Sequence, residues 1–186
     1  AAAVRTVVAD GGAIAVACVL DPVFAVLYYG AARAGRTVVT LNPLIRGEGL
    51  AHVLAASGSR LAFVTREMAE RIAPFRDRLG DLATVVVLDP GDAQLPARTI
   101  ALETLLAAAP EPGPTDPERR QAADSGEFDL DATACLHFTS GTTGAPKAVR
   151  LTHRGLTVNA AQTAQAQGLD DTSVTLNQLP LFHIMH

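Results

Sequence analysis

Short apolar runs alternate with amphipathic segments along the first 109 residues. Each apolar run has the length of a strand, and each amphipathic segment carries apolar residues at helical spacing. The predicted strands cover 13–20, 36–41, 60–65 and 84–88, and the predicted helices cover about 22–35, 50–58, 66–79 and 100–109. Strands and helices that alternate at short range indicate βαβ units. We therefore predict an α/β fold with a parallel sheet and flanking helices.

Local signals mark the ends of these helices. Asp21 and Pro22 are typical of a helix start, because Asp accepts free backbone N–H groups and Pro lacks one. Gly35 and Gly58 are typical of helix ends, where the backbone often turns left-handed. Asn42-Pro43 predicts a break between the second strand and the next helix.

The amino-acid composition changes between residues 110 and 127. This stretch holds four prolines among charged residues and glycines, which predicts a linker or a surface loop. It separates an upstream α/β lobe, 1–109, from a downstream lobe, 128–186. In the downstream lobe we predict strands at 134–138 and 174–179, a short apolar run at 148–151, and a helix at about 153–166 capped by Thr152. Because the sequence stops at His186 within an apolar segment, we expect this lobe to be truncated.

The composition argues against several classes of protein. The sequence is 48% hydrophobic and 18% charged, which supplies a packed core and argues against disorder. A net charge of −4 without a Lys/Arg cluster argues against a nucleic-acid surface. No apolar run reaches membrane-spanning length, and 1–8 lacks the charged start of a signal peptide. We therefore expect a cytoplasmic protein in which Cys18 and Cys135 are buried free thiols.

One polar loop carries the residues for phosphate chemistry. It reads T-S-G-T-T-G-A-P-K and comprises Thr139, Ser140, Gly141, Thr142, Thr143, Gly144, Ala145, Pro146 and Lys147. Glycines expose backbone N–H groups, hydroxyls add donors and can ligate Mg²⁺, and the lysine supplies positive charge. The alternative is a flexible linker with an incidental lysine. The loop follows one apolar strand and enters another, which favours phosphate binding. The Walker A pattern does not fit, because Lys147 follows Pro146.

The segment L-H-F-T-S-G-T-T-G-A-P-K-A-V, 136–149, closely resembles the signature loop of the adenylate-forming superfamily. That superfamily contains acyl- and aryl-CoA synthetases, peptide-synthetase adenylation domains and beetle luciferases. L-P-L-F-H, 179–183, is similar to the next family motif, and 28–43 is similar to a helix–strand segment that ends in L-N-P. The resemblance spans most of the chain.

The resemblance implies a carboxylate–CoA ligase that uses ATP, Mg²⁺ and coenzyme A. The substrate carboxylate would attack the α-phosphate, release pyrophosphate and form an acyl-adenylate, and a thiol would then displace AMP. Thr142 is the expected Mg²⁺ contact, and His183 would lie beside the nucleotide and the acyl pocket. The residues implied to hold the β- and γ-phosphates are Thr139, Ser140, Gly141, Thr142, Thr143, Gly144 and Lys147.

The sequence departs from the family pattern in several places. Ala148 stands where the family commonly has Gly, which raises the question of positive φ there, and Phe138 replaces a frequent Tyr. The later family elements are not found, including the Mg²⁺-binding glutamate and the lysine of the mobile C-terminal domain. We therefore expect no complete catalytic set in these 186 residues and no activity from them alone.

Other interpretations stay open at this stage. The chain could be a non-catalytic module that binds nucleotide or a protein partner, or part of an amino-acid adenylation domain of a peptide synthetase. His183 could simply end a buried strand, or could join His186 as a metal ligand, although no third ligand cluster accompanies them. His137 is expected to be a satisfied core residue, and His52 and His153 are expected at surface or cap positions.

Overall fold

The computed structural model describes residues 2–8, 12–17, 21–109, 129–139, 145–176 and 179–180. The helices within these ranges are α1 (Ala2–Val7), α2 (Val23–Arg33), α3 (Gly47–Ala56), α4 (Arg66–Ile72), α5 (Leu102–Ala107) and α6 (His153–Gln167). A 3-10 helix, Ala73–Arg78, continues α4. The strands are β1 (Ala13–Ala17), β2 (Thr37–Thr40), β3 (Ser59–Val64), β4 (Thr84–Val87), β5 (Thr99–Ala101), β6 (Thr133–Thr139) and β7 (Lys147–Thr152).

The strands form one sheet in the order β5-β4-β3-β1-β2-β6-β7. Every neighbouring pair is parallel except β6 and β7, which are antiparallel. The predicted α/β fold with a parallel sheet is therefore confirmed, with one antiparallel edge. That edge has a simple cause: a parallel crossover needs a dozen or more residues, and only residues 140–146 separate the two strands.

The sheet is covered by helices on both faces. Along β1, Ala13, Ala15 and Ala17 pack with the buried residues of α3 and α4. The alternating residues Ile14 and Val16 pack on the opposite face with buried residues of α1, α2 and α5. Because successive side chains of a strand point to opposite faces, this alternation builds a helix–sheet–helix sandwich from one apolar run.

The predicted helix signals hold in the structure. The Asp21 Oδ1 atom accepts a hydrogen bond of 2.9 Å from the backbone N–H of Val23, at the start of α2. Gly35 and Gly58 have φ values of 71° and 60°, the left-handed conformation that ends α2 and α3. Thr152 caps α6, since its Oγ1 atom accepts a 3.0 Å hydrogen bond from the N–H of Gly155.

Three predicted elements differ from the structure. The α-helix predicted over 66–79 becomes a 3-10 helix after Ile72, because Pro74 removes a backbone donor and its ring crowds the preceding turn. A strand, Thr99–Ala101, occupies the beginning of the helix predicted at 100–109. The prediction of a strand at 174–179 is wrong for residues 174–176, which lie outside any strand with exposed side chains. Residues 18–20 and 177–178 are outside the described ranges.

The sheet joins the upstream and downstream parts of the chain. Strand β6 pairs in parallel with β2, with Leu136 opposite Val39. The proposed linker, 110–127, lies outside the described residues, so the domain boundaries remain a prediction. Within the described ranges, no helix combines the length and the hydrophobicity that a transmembrane helix requires.

Candidate functional site

The β6–β7 hairpin holds the two ends of the predicted phosphate-binding loop together. Thr139, the last residue of β6, lies directly opposite Lys147, the first residue of β7. Directly opposed residues of an antiparallel pair have Cα atoms about 5 Å apart. Both residues are exposed, so both remain accessible to a ligand. The remaining predicted site residues, Ser140, Gly141, Thr142, Thr143, Gly144 and His183, lie outside the described residues.

The loop emerges at the edge of the sheet where ligands of open α/β folds bind. Strands β1, β2, β3 and β6 are parallel, so their carboxyl ends share that edge. Ligands of such sheets usually occupy the crevice outside these ends, because connecting loops diverge there. Lys147 is also the only lysine in the chain. The fold therefore places a single ammonium group at the edge suited to a ligand.

Strand β6 is anchored on both faces just before the loop. Leu136 and Phe138 pack against the core cluster that includes α3 and α4, whereas Cys135 is fully buried in the cluster on the other face. The bulk of Phe138 therefore has a packing role in this strand. A buried side chain on one face and partly buried apolar side chains on the other fix the strand that leads into Thr139.

The departure from the family pattern at Ala148 creates no backbone conflict. Ala148 lies in β7 opposite Phe138. Among the described residues other than glycine, only Arg98 has a positive φ. An alanine is therefore compatible with the conformation of this position.

A polar pair links β6 to β2 near the loop. The Oγ1 atom of Thr40 and the Nδ1 atom of His137 are 2.9 Å apart, and either can donate, depending on the imidazole tautomer. Thr40 is buried and His137 is half-buried. The prediction that His137 is a satisfied, inward-lying residue is consistent with this contact. Two strands that end at the candidate site are thus connected through their side chains.

The thiol of Cys135 is held in its neutral form. Burial raises its pKa to about 11, with opposing contributions from hydrogen bonds to Tyr28 and to the backbone of Thr40. Burial also raises the pKa of the Tyr28 hydroxyl, and the neighbouring thiol adds to that shift. Because thiolates are the nucleophilic form of cysteine, Cys135 is a packing residue in this structure and remains a free thiol.

One contact with the loop was not predicted from the sequence. His52, expected at a surface or cap position, is half-buried on α3, and its Nε2 atom lies 2.9 Å from the carbonyl oxygen of Pro146. The two residues are 94 positions apart, and no local pattern pairs them. His153, also expected at a surface or cap position, is half-buried and is the first residue of α6, directly after the Thr152 cap.

The described residues contain no group of three or more His, Cys, Asp or Glu side chains placed to hold a metal ion. The Mg²⁺ contact predicted at Thr142 and the alternative metal pair His183–His186 lie outside the described residues. Both therefore remain predictions.

The sequence of this chain is similar to those of known enzymes. A family model described as AMP-binding enzyme matches residues 2–186. A 4-coumarate–CoA ligase of Oryza sativa subsp. japonica is 33% identical over 171 residues, which cover 88% of this chain and 28% of the relative. A 3-methylmercaptopropionyl-CoA ligase of Ruegeria lacuscaerulensis is 29% identical over 164 residues, which cover 85% of this chain and 28% of the relative.

Solved structures share the fold. A long-chain-fatty-acid-CoA ligase from Archaeoglobus fulgidus matches with a TM-score of 0.75 and 26% identity, over 98% of this chain and 33% of its own. MbtA from Mycobacterium smegmatis matches with a TM-score of 0.78 and 29% identity, over 100% of this chain and 32% of its own. The chain spans about 28% of the length of the first curated relatives. Because the family match extends over residues 2–186, the chain belongs to the family of AMP-binding enzymes.

Proposed function

We propose that this chain forms the phosphate-binding portion of an enzyme that activates a carboxylic acid with ATP and transfers the acyl group to coenzyme A. One observation carries the proposal: the β6–β7 hairpin sets Thr139 opposite Lys147 at the carboxyl edge of a parallel sheet. The family match and the CoA-ligase relatives support the same reaction class.

The chemistry of the loop fits a triphosphate. From Thr139 to Lys147 the sequence offers hydroxyls, glycine amides and one ammonium group, with no acidic side chain. Charge-assisted hydrogen bonds from such donors are the strongest available to phosphate oxygens. In the proposal, the β- and γ-phosphates are held by Thr139, Ser140, Gly141, Thr142, Thr143, Gly144 and Lys147.

The hydroxyl oxygen of Thr142 is the proposed protein contact for Mg²⁺. The ion, when bound, would offset negative charge on the departing pyrophosphate. Hydroxyl and phosphate oxygens are the hard ligands that this cation prefers. The contribution of the chain itself is to orient the phosphates and neutralise part of their charge.

The proposed reaction has two displacement steps. A carboxylate oxygen of the substrate bonds to the α-phosphorus, and the bond from that phosphorus to the pyrophosphate oxygen breaks. The sulfur of coenzyme A then bonds to the acyl carbon, and AMP leaves with the electron pair of the broken C–O bond as the thiol loses its proton.

The identity of the acid is left at the level of its class. The curated relatives carry names that refer to 4-coumarate, 3-methylmercaptopropionate and sulfoacetate, which differ in ring, thioether and sulfonate groups. What these acids share is the carboxylate that attacks ATP. We place His183 beside that acyl pocket and the nucleotide. A reducing cytoplasm is the proposed compartment, consistent with the free thiol of Cys135.

Calorimetric titration with Mg-ATP tests the nucleotide site. The wild-type chain should bind, and Lys147→Ala should weaken the affinity about tenfold or more, because it removes a charged donor from phosphate. Arg150→Ala is the matched control. It removes the same charge from the same strand, but an odd sequence separation places it on the opposite face, so the affinity should change less than about twofold.

The outcomes of this titration distinguish a nucleotide site in the loop from the alternative interpretations. Equal losses for Lys147→Ala and Arg150→Ala would indicate general attraction between charges and contradict a loop-specific site. Absence of binding to the wild-type chain at millimolar nucleotide would contradict a nucleotide site in this portion. The non-catalytic alternative would be supported by a different result. In that case the protein would bind Mg-ATP but would not exchange pyrophosphate into ATP with any of a panel of acids.

A further inference from the structure

His52 makes a direct contact with the end of the predicted phosphate-binding loop. Its Nε2 atom lies 2.9 Å from the backbone oxygen of Pro146. A carbonyl oxygen can only accept a hydrogen bond, so the imidazole must donate from Nε2. The contact therefore requires a hydrogen on that nitrogen of His52.

The donor stands on a rigid element. Helix α3 is fixed to the sheet by Leu50, Val53 and Leu54, each at most 2% exposed. His52 lies between these buried positions, and its own side chain is half-buried. A side chain carried by a packed helix holds its partner more firmly than one carried by a loop.

The acceptor, the carbonyl oxygen of Pro146, lies directly before Lys147 in the chain. Pro146 has no N–H group, so its carbonyl is its only backbone hydrogen-bonding atom. That carbonyl belongs to the planar peptide group that also contains the nitrogen of Lys147. The backbone at Lys147 is therefore held from two directions: by Thr139 across the hairpin and by His52 from α3.

We propose that His52 is a positioning residue for the phosphate-binding loop: its Nε2–H fixes the Pro146–Lys147 peptide and thereby aims the ammonium of Lys147 at the phosphates of ATP. The effect on ATP rests on the proposed function, whereas the effect on the loop itself does not. Preorganisation of this kind raises affinity because a larger share of molecules is ready to bind.

The single lysine of the chain supplies a specific probe. Endoproteinase Lys-C cleaves after lysine, so its only site here is the Lys147–Ala148 bond, at the start of β7. Cleavage in a strand requires local opening, and its rate follows the population of the open form when opening is fast. The Lys-C rate therefore reports how firmly this end of the loop is held.

Two substitutions separate the hydrogen bond from the shape of the ring. His52→Phe keeps a ring but has no N–H donor, whereas His52→Gln keeps an N–H donor at similar reach. We expect His52→Phe to be cleaved roughly fivefold faster than wild type, the size of effect that one hydrogen bond gives. His52→Gln should restore most of the wild-type rate. Equal rates for His52→Phe and wild type, or no rescue by His52→Gln, would overturn the proposal.

Global destabilisation is monitored with trypsin in separate digests of the same variants. Arg60 lies in β3 before the fully buried Leu61, so trypsin cleaves the Arg60–Leu61 bond only when the core opens. If His52 positions the loop, His52→Phe should accelerate cleavage after Lys147. The rate of cleavage after Arg60 should stay within about twofold of wild type. Parallel acceleration at both bonds would mean a general structural role and would overturn the proposal.

The nucleotide measurement distinguishes the two proposals. Mg-ATP should bind His52→Phe about threefold or more weakly than wild type, with His52→Gln between them. If wild type binds no Mg-ATP, the proposed function fails while the Lys-C comparison still tests the anchor. If wild type binds and His52→Phe binds equally well, the positioning role is overturned.

A measurement on the wild-type chain needs no substitution. Long-range ¹H–¹⁵N NMR correlations of histidine rings distinguish a ring that carries hydrogen on Nε2 from the neutral ring that carries it on Nδ1. The contact with Pro146 predicts hydrogen on Nε2 of His52. A neutral ring with its hydrogen only on Nδ1 would overturn the proposal.

Discussion

Cys135 illustrates how burial controls chemistry at the scale of one residue. It lies four positions before Thr139, with none of its surface exposed, and burial raises its pKa to about 11 from an ordinary value of 9.0. A raised pKa means that the folded state holds the proton more tightly than the unfolded chain. The stabilising contribution is therefore complete below about pH 9 and is lost as the pH rises through about 11.

The raised pKa of Cys135 predicts how the stability of the protein changes with pH. Between about pH 9 and about pH 11, the free energy of unfolding of wild type should fall relative to that of Cys135→Ala. One proton is involved, so the limiting slope is about 1.4 kcal/mol per pH unit. Urea unfolding of both chains across this range measures the difference. Because the Tyr28 hydroxyl and the thiol influence each other's pKa, both chains carry Tyr28→Phe in this comparison. A difference that stays constant with pH would contradict the buried-thiol account.

Thr152 carries a prediction at the scale of an element. Helix α6 has no buried residue, so its start depends strongly on the cap at Thr152. Replacing Thr152 with Ala removes the 3.0 Å hydrogen bond to the N–H of Gly155 and should destabilise the helix by about 1 kcal/mol. Amide hydrogen exchange in the first turn of α6 should then accelerate about fivefold.

A second threonine of the same helix is the control. Thr157 is exposed, and its hydroxyl donates a hydrogen bond to the carbonyl oxygen of His153. Thr157→Ala should change exchange in the first turn by less than about twofold, because alanine regains helix propensity when that bond is lost. Equal acceleration by both substitutions would show that the cap is not the stabilising interaction.

Some strands could be predicted from their own sequence, and others could not. β1, β3 and β4 were predictable because strands buried on both faces read as continuous apolar runs. Strand β5, Thr99–Ala101, is only three residues long, and its pairing with β4 outweighs the helical pattern that begins at Ile100. The exposed stretch at 174–176 reads V-T-L, a composition typical of strands, but it pairs with none of the described strands. A strand-like composition alone does not make a strand.

At the scale of the whole molecule, the position of the loop depends on contacts between distant parts of the chain. The residues of the loop were identifiable from composition and from the family resemblance. Its place at the carboxyl edge follows from the parallel pairing of β6 with β2, and its contact with His52 joins residues 94 positions apart. Neither is encoded in a local pattern, so only the assembled fold reveals them.

The accessibility of Lys147 to an amine-reactive acetylating reagent tests whether its ammonium group contacts the phosphates of ATP. Lys147 is the only lysine, so the amino terminus is the one other reactive amine and serves as an internal reference. Saturating Mg-ATP should slow acetylation of Lys147 about fivefold or more without slowing that of the terminus, since a bound phosphate masks the ammonium. AMP, which lacks the β- and γ-phosphates, should give little protection. Equal acetylation of Lys147 with and without Mg-ATP, or equal protection by AMP, would rule out a contact between Lys147 and the β- and γ-phosphates.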